Sequence, residues 1–210
     1  MKKNPLLLIP GRSAALLLLV ALPALCCANE NLLEEVKSRL TSSPVIHGEF
    51  QQTRRLAQIK KPLVSHGRFL VARNHGVLWE NTRPLAQITR LTREEILQTD
   101  GKKTLMKLDA RKEPVVKIIN GILFSVLSGD VAALAQTFDY HGKVEGKHWQ
   151  LEFTPRDKNL ARMIRALRLA GERDIASVEM ENAAGDVTRI EFQAQTYAQE
   201  LSADEQKRFE

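Results

Sequence analysis

SHGRFLVARNHGVLW, residues 65–79, reads as two strands meeting at a turn. Apolar and polar residues alternate up to Arg73, the chain reverses at Asn74-His75-Gly76, and it runs back through Val77, Leu78 and Trp79. At a period of two, Phe69, Val71 and Arg73 share one face. If that face is the core, an arginine ends a row of apolar side chains, and an unpaired buried arginine is unfavourable by on the order of several kcal/mol. Two readings stay open. Either the face is reversed and Arg73 is a solvated strand end, or Arg73 has a specific internal partner.

Strands continue on both sides of this hairpin. Residues 45–59 and 62–73 are long extended runs joined at Lys60-Lys61. Shorter runs follow at 76–81, 85–91 and 94–98, then an Asp100-Gly101 turn and a strand at 103–108. Asp-Gly between such runs is a hairpin signal, and short turns without intervening helices predict an antiparallel sheet. After a turn at Gly146-Lys147, Trp149, Leu151 and Phe153 alternate strictly with polar residues. Residues 160–170 suit a helix through Leu160, Met163, Ile164 and Leu167, and from Met163 onward they also tolerate a strand. Two clean strands, 175–182 and 187–196, are joined by the turn at 183–186.

Three helices complete the pattern. In residues 31–42, Leu32, Leu33, Val36 and Leu40 fall at helical spacing before Pro44. Residues 114–127, PVVKIINGILFSVL, present one broad apolar helical face. Residues 130–138 predict a second short helix, capped by Ser128 or Asp130. A membrane span over 114–138 fails because Ser128-Gly129-Asp130 interrupts it. Taken alone, these segments read as a core helix hairpin. The tail from Ser202 is polar, with Ser202 and Glu205 spaced for a capping box. No repeat or linker divides the chain, so one α+β domain is predicted.

Residues 1–28 read as a cleaved signal peptide. Lys2, Lys3 and Arg12 form a basic leader, an apolar run extends from Ala14 to Leu25, and Cys26-Cys27-Ala28 supplies small residues for cleavage after Ala28. Lipidation at Cys26 or Cys27 is the competing reading. Cleavage removes 28 of 210 residues and both cysteines, leaving 182 residues and no disulfide. Three of the 31 basic residues leave with the leader, which lowers the formal charge from +6 to +3. Export to a periplasm-like space makes nucleic acid an unsuitable partner, and the residual positive charge favours anionic lipid or protein surfaces weakly. The domain is expected to occupy 29–200, followed by a polar tail at 201–210.

Catalytic constellations are not evident. His47, His66, His75, His141 and His148 show no metal-ligand spacing. There is no nucleophile elbow, catalytic cysteine or phosphate loop, and Glu34-Glu35 and Glu94-Glu95 look like solvated faces. No catalytic residue, metal or cofactor is predicted. His75 beside Arg73 is the one polar seed for an enzyme acting on a lipid headgroup. The surplus of apolar sheet and helix surface predicts a thick core or a cavity suited to a lipid tail. At about 0.8 kcal/mol per methylene, a long acyl chain would gain on the order of 10 kcal/mol gross.

HGEFQQ at 47–52, SHGRFLVAR at 65–73, Leu78-Trp79 and Pro84 together resemble the periplasmic outer-membrane lipoprotein carrier family, LolA. The six-residue spacing from Arg73 to Trp79, KSRL at 37–40 and the hairpin at 185–188 fit the same pattern, and the resemblance spans 31–197. Asn74 stands where the family commonly has proline, and the chain closes on ELSADEQKRFE in place of the main carrier's aromatic C-terminal element. The pattern is that of a divergent paralogue. The resemblance implies an unclosed, curved antiparallel β-barrel, a half-barrel, with a helical lid covering a hydrophobic cavity. It implies that Arg73 is a lid latch, bonding carbonyls near Leu40 and on the 115–127 helix. Leu40, Phe50, Phe69, Val71, Val77 and Trp79 would line the cavity, with Ile118, Ile119, Ile122 and Leu123 from the lid. The implied function is a monomeric periplasmic carrier that takes an acylated lipid or lipoprotein from an inner-membrane donor protein toward an outer-membrane acceptor. The alternative is a lipid- or lipoprotein-sensing interaction module on the same scaffold.

Overall fold

The computed structural model describes residues 27–109, 111–112 and 114–209, with the backbone alone at 27–31, 114–116 and 119. Residues 1–26 of the expected signal peptide lie outside this set.

The chain begins with helix α1 (Cys27–Arg39), whose Leu33 and Val36 are buried. Six strands follow: β1 (Val45–Arg55), β2 (Leu63–Ala72), β3 (Gly76–Arg83), β4 (Gln87–Leu91), β5 (Glu95–Thr99) and β6 (Thr104–Asp109). Two helices come next, α2 (Pro114–Leu127) and α3 (Val131–Leu134). The second half holds β7 (Phe138–Glu145), β8 (His148–Pro155), the single turn α4 (Lys158–Ala161), β9 (Ile164–Gly171), β10 (Ile175–Asn182), β11 (Val187–Ala198) and α5 (Ala203–Lys207).

All eleven strands form one antiparallel sheet in the order β6-β5-β4-β3-β2-β1-β11-β10-β9-β8-β7. It consists of two meanders joined where β1 pairs with β11, from Val45 opposite Ala198 to Arg55 opposite Val187. The sheet does not close: β6 is one edge and β7 the other. The connection from β6 to β7 must therefore pass from edge to edge of the curved sheet, and α2 and α3 make that crossing. Fourteen residues of α2 give a rod of about 21 Å.

Two apolar clusters fill the concave side. One joins Val36 of α1, Val131 and Leu134 of α3, and the inward residues of β7–β10, including Phe138, Trp149, Leu151 and Phe153. The other joins Ile46, Phe50, Phe69, Val71, Val77, Leu91 and Ile96 from β1–β5. Ile190 and Phe192 of β11 pack against both. A third cluster lies on the outer face, where Val45, Leu70, Ala72 and Leu78 meet Leu201 and Phe209 beside α5. The tail is thus docked, with the expected Ser202–Glu205 capping box present. Elsewhere on that face, charged residues form cross-strand ion pairs such as Glu152–Arg168 at 2.9 Å and Arg168–Glu179 at 3.2 Å.

Two local expectations change. The helix expected over 130–138 is the four-residue α3, where Asp130 accepts from the Ala133 N–H at 3.3 Å, and Phe138 already begins a strand. Phe138, Tyr140 and Val144 alternate with polar residues, so β7 carried a period-two signal that the neighbouring helix pattern hid. Residues 160–170 divide between α4, capped by Asp157, and β9.

Candidate functional site

The site is built from a repeated triplet. Gly48-Glu49-Phe50 on β1 and Gly67-Arg68-Phe69 on β2 run antiparallel, so Gly48 faces Phe69 and Phe50 faces Gly67. Each ring lies over the other strand's glycine. A Cβ on Gly67 would stand 2.6 Å from the Phe50 ring and closer still to the Glu80 carbonyl. With both Cβ positions vacant, Phe50 reaches the neighbouring Trp79 and stacks on it, with centroids 3.8 Å apart and planes at 22°. Phe192 adds edge contacts to Phe69 at 5.1 Å and to Trp79 at 6.3 Å. The result is an aromatic wall on the concave face, in which Phe192 meets its neighbours edge-on, an arrangement that aromatic quadrupoles favour.

Between this wall and α2 lies a cavity of about 250 Å³. Ile122, Leu123, Val126 and Leu127 of α2 form its roof. Val77, Trp79 and Leu91 line one side, and Leu167, Val178, Met180, Ile190 and Phe192 the other. Gln52, Thr89 and Thr188 are its polar members. The cavity therefore sits at the seam of the two concave clusters. A smaller void beside it, about 20 Å³, is bordered by Leu40, Ile46, Phe69, Ser128 and Gly129.

Among the described residues, two side chains tie α2 and its C-terminal end to the sheet. Arg73 donates from Nη2 to the Ser128 carbonyl at 3.2 Å, just past the C-terminus of α2. Asn120, in the middle of α2, donates from Nδ2 to the Thr92 carbonyl in the β4–β5 turn at 3.0 Å. Both groups are only half satisfied, because Arg73 Nε and Asn120 Oδ1 are buried and make no hydrogen bond within the protein. An unmade buried hydrogen bond is unfavourable by about 1–3 kcal/mol, so these ties hold the helix without locking it.

The residues expected from the sequence are distributed as follows. Val77, Trp79, Ile122 and Leu123 line the cavity. Phe50 and Val71 are buried beside it, and Phe69 and Leu40 border the smaller void. Ile118 is 44% exposed and faces away. The Ile119 side chain lies outside the described residues. Arg73 reaches the end of α2, while a bond from it to Leu40 is not among the hydrogen bonds of the described residues. The lining from β9–β11 carries no local sequence signal for a cavity. Met180, Ile190 and Phe192 sit on the inward face of strands legible in the sequence, but their placement opposite Trp79 depends on the β1–β11 pairing.

A larger groove, about 470 Å³, lies on the outer face around Gly142, Ala170 and Ser177. Its rim carries Lys143, Glu152, Arg168, Glu179 and Arg189, which suits solvent rather than an acyl chain. His75 packs against Phe209, with ring centroids 5.7 Å apart, so it is turned to the tail rather than to the cavity. Among the described residues, no group of three or more His, Cys, Asp or Glu side chains could hold a metal, and no helix is long and apolar enough to cross a membrane.

A sequence profile described as outer membrane lipoprotein carrier protein LolA-like matches residues 27–206. No curated protein sequence gives a significant match. Similar solved structures include a LolA superfamily protein from Nitrosomonas europaea, 12% identical with a TM-score of 0.46, over 83% of this chain and 95% of that one. A putative outer membrane lipoprotein-sorting protein domain from Vibrio parahaemolyticus is 11% identical with a TM-score of 0.43, over 83% and 95%. A chain of the Pseudomonas aeruginosa MucA/MucB complex is 16% identical with a TM-score of 0.44, over 86% of this chain and 59% of that one.

Proposed function

The chain belongs to the outer membrane lipoprotein carrier protein LolA-like family, and from that premise we propose that it is a periplasmic carrier that shields the acyl chains of a lipid or lipoprotein under α2. The observation that carries this reading is the seam cavity, apolar over most of its wall and roofed by a helix with two half-satisfied polar ties. Ligand pockets usually measure about 300–1,000 Å³. At about 250 Å³ the cavity admits part of one acyl chain, and a whole chain requires α2 to lift. Buried methylenes contribute about 0.8 kcal/mol each, so a handful of them offsets the loss of both ties. Reseating α2 would in turn favour release to an acceptor.

Arg73 acts in this reading as the latch and Trp79 as part of the wall that a chain touches. The cargo would come from an inner-membrane donor protein and pass toward an outer-membrane acceptor. Native mass spectrometry of protein purified from a membrane-containing host should reveal a bound lipid, and adding that lipid to stripped protein should shift Trp79 fluorescence. Absence of both signals defeats the carrier reading. A stoichiometric protein partner, with no lipid passed to acceptor vesicles, would favour the sensing module.

A further inference from the structure

The hairpin turns at one end of the sheet gather the exposed apolar side chains. β1 ends at Arg55 beside Val187, and β3 ends at Arg83 beside His66, so the turns 56–62, 84–86 and 183–186 lie at the same end. The β5–β6 turn, 100–103, and the α4 segment before β9 join them, since Ile88 pairs with Thr99 and Asn182 with Ile164. Ala57 N–H donates to Asp186 Oδ1 at 2.9 Å and ties two of these turns together. Of the large apolar side chains that are exposed, Ile59, Leu63 and Val64 flank the β1–β2 turn at 49%, 51% and 42%. Leu85 tips the β3–β4 turn at 69%, Leu105 and Met106 start β6, and Met163 follows α4. Only Ile118 on α2 and Tyr197 at the far end of β11 lie elsewhere among those described.

Positive charge shares this end. Arg54, Arg55, Lys60, Lys61 and Arg83 are exposed and form none of the ion pairs among the described residues, as do Lys102 and Lys103 of the β5–β6 turn. The nearby carboxylates are already engaged by other groups, Asp139 by Arg156 at 2.7 Å and the rest mainly by backbone N–H groups. Asp100 accepts from the Lys102 and Lys103 N–H groups, Asp157 caps α4, and Asp186 bonds Ala57 and Asn182. The seam cavity extends toward this end too, because its members Met180 and Thr188 pair with each other one residue from the Glu181–Val187 pair.

We propose that this end docks on an anionic lipid bilayer. Ile59, Leu63 and Leu85 enter the headgroup region while Lys60, Lys61 and Arg83 meet lipid phosphates. Scattered single apolar residues need no explanation, whereas an apolar cluster rimmed with unpaired basic side chains is the pattern of an interfacial anchor. The charge complementarity selects acidic lipid over a neutral surface. In this pose the cavity members Met180 and Thr188 lie on the membrane side of the cavity. The inference stands apart from the cavity's contents: a chain that binds vesicles and carries no lipid keeps it, and one that carries lipid but ignores vesicles loses it.

The test is flotation of the purified chain with vesicles of phosphatidylethanolamine and phosphatidylglycerol, against vesicles of phosphatidylcholine alone. Partition should favour the anionic vesicles and fall as salt rises. Each basic residue at an anionic surface contributes about fivefold, so Lys60→Gln with Lys61→Gln should lower partition roughly twenty- to thirtyfold. Leu85→Ser should lower it further, and Lys143→Gln with Lys147→Gln at the opposite end should leave it unchanged. Circular dichroism verifies that each variant is folded. Equal binding to both vesicle types, or equal losses from the two lysine pairs, overturns the proposal, as does binding to neither vesicle.

Discussion

Among the described residues, the Arg73 guanidinium makes one hydrogen bond, to the Ser128 carbonyl, and its buried Nε makes none. A charge-assisted bond contributes about 1.5–3 kcal/mol, and the buried Nε offsets a comparable amount. Arg73→Leu removes both the bond and the orphaned donor. Its effect on global stability should therefore be small, within about 1.5 kcal/mol, while α2 loses its C-terminal tie. Hydrogen exchange should rise over the last turn of α2 with little change in the unfolding midpoint. A collapse of the midpoint would mark a purely structural arginine. Gly67 presents the opposite case, because any side chain there meets the Glu80 carbonyl and the Phe50 ring. Gly67→Ala should lower stability by about 1–3 kcal/mol, measured by urea unfolding, and shift Trp79 fluorescence as Phe50 is displaced. The two Gly-x-Phe triplets were visible in the sequence. Their cross-strand fit was not, since it depends on β1 and β2 pairing with Gly48 opposite Phe69.

At the scale of elements, the tail and the lid behave differently. α5 is short, and its docking rests on Leu201, Phe209 and the His47 Nε2–Glu205 Oε1 pair at 2.7 Å. Burial pushes the Glu205 carboxyl up, but hydrogen bonds from His47 and Ser202 outweigh it and hold the group below its ordinary 4.5. A carboxyl with a lowered folded value stabilises above its unfolded value, and that contribution is lost as pH falls through the lowered one. Exchange of the tail amides should accordingly rise in acid, below pH 4.5, before the sheet unfolds. Truncation after Glu200 should uncover Val45, Leu70 and Leu78 and cause self-association, which sedimentation velocity would detect. An unchanged sedimentation coefficient would show that α5 does not shield this face. The capping box of α5 and the span of α2 were legible because caps and helical periodicity are local signals. β7 was not, because its alternation begins within one residue of a helix-like stretch and Gly142 interrupts its apolar face.

For the whole molecule, the topology makes the lid unavoidable: β6 and β7 lie at opposite edges of one sheet, and the chain between them must cross it. Loading with lipid should therefore loosen α2 and α3 together while leaving the β1–β11 seam protected, and hydrogen exchange of loaded and stripped protein would compare them directly. Uniform change across the sheet would contradict this. The sequence by itself determined most of the hairpins, the span of α2, the absence of recognisable catalytic motifs and the odd position of Arg73, because turns, periodicity and charge are written within a dozen residues. Tertiary structure alone decided that β1 pairs with β11, that Phe192 and Met180 face Trp79 across a cavity, and that Ile118 turns outward. The register of a distant strand pair is fixed by packing over the whole concave face, and no local pattern in either strand specifies which residues it will meet.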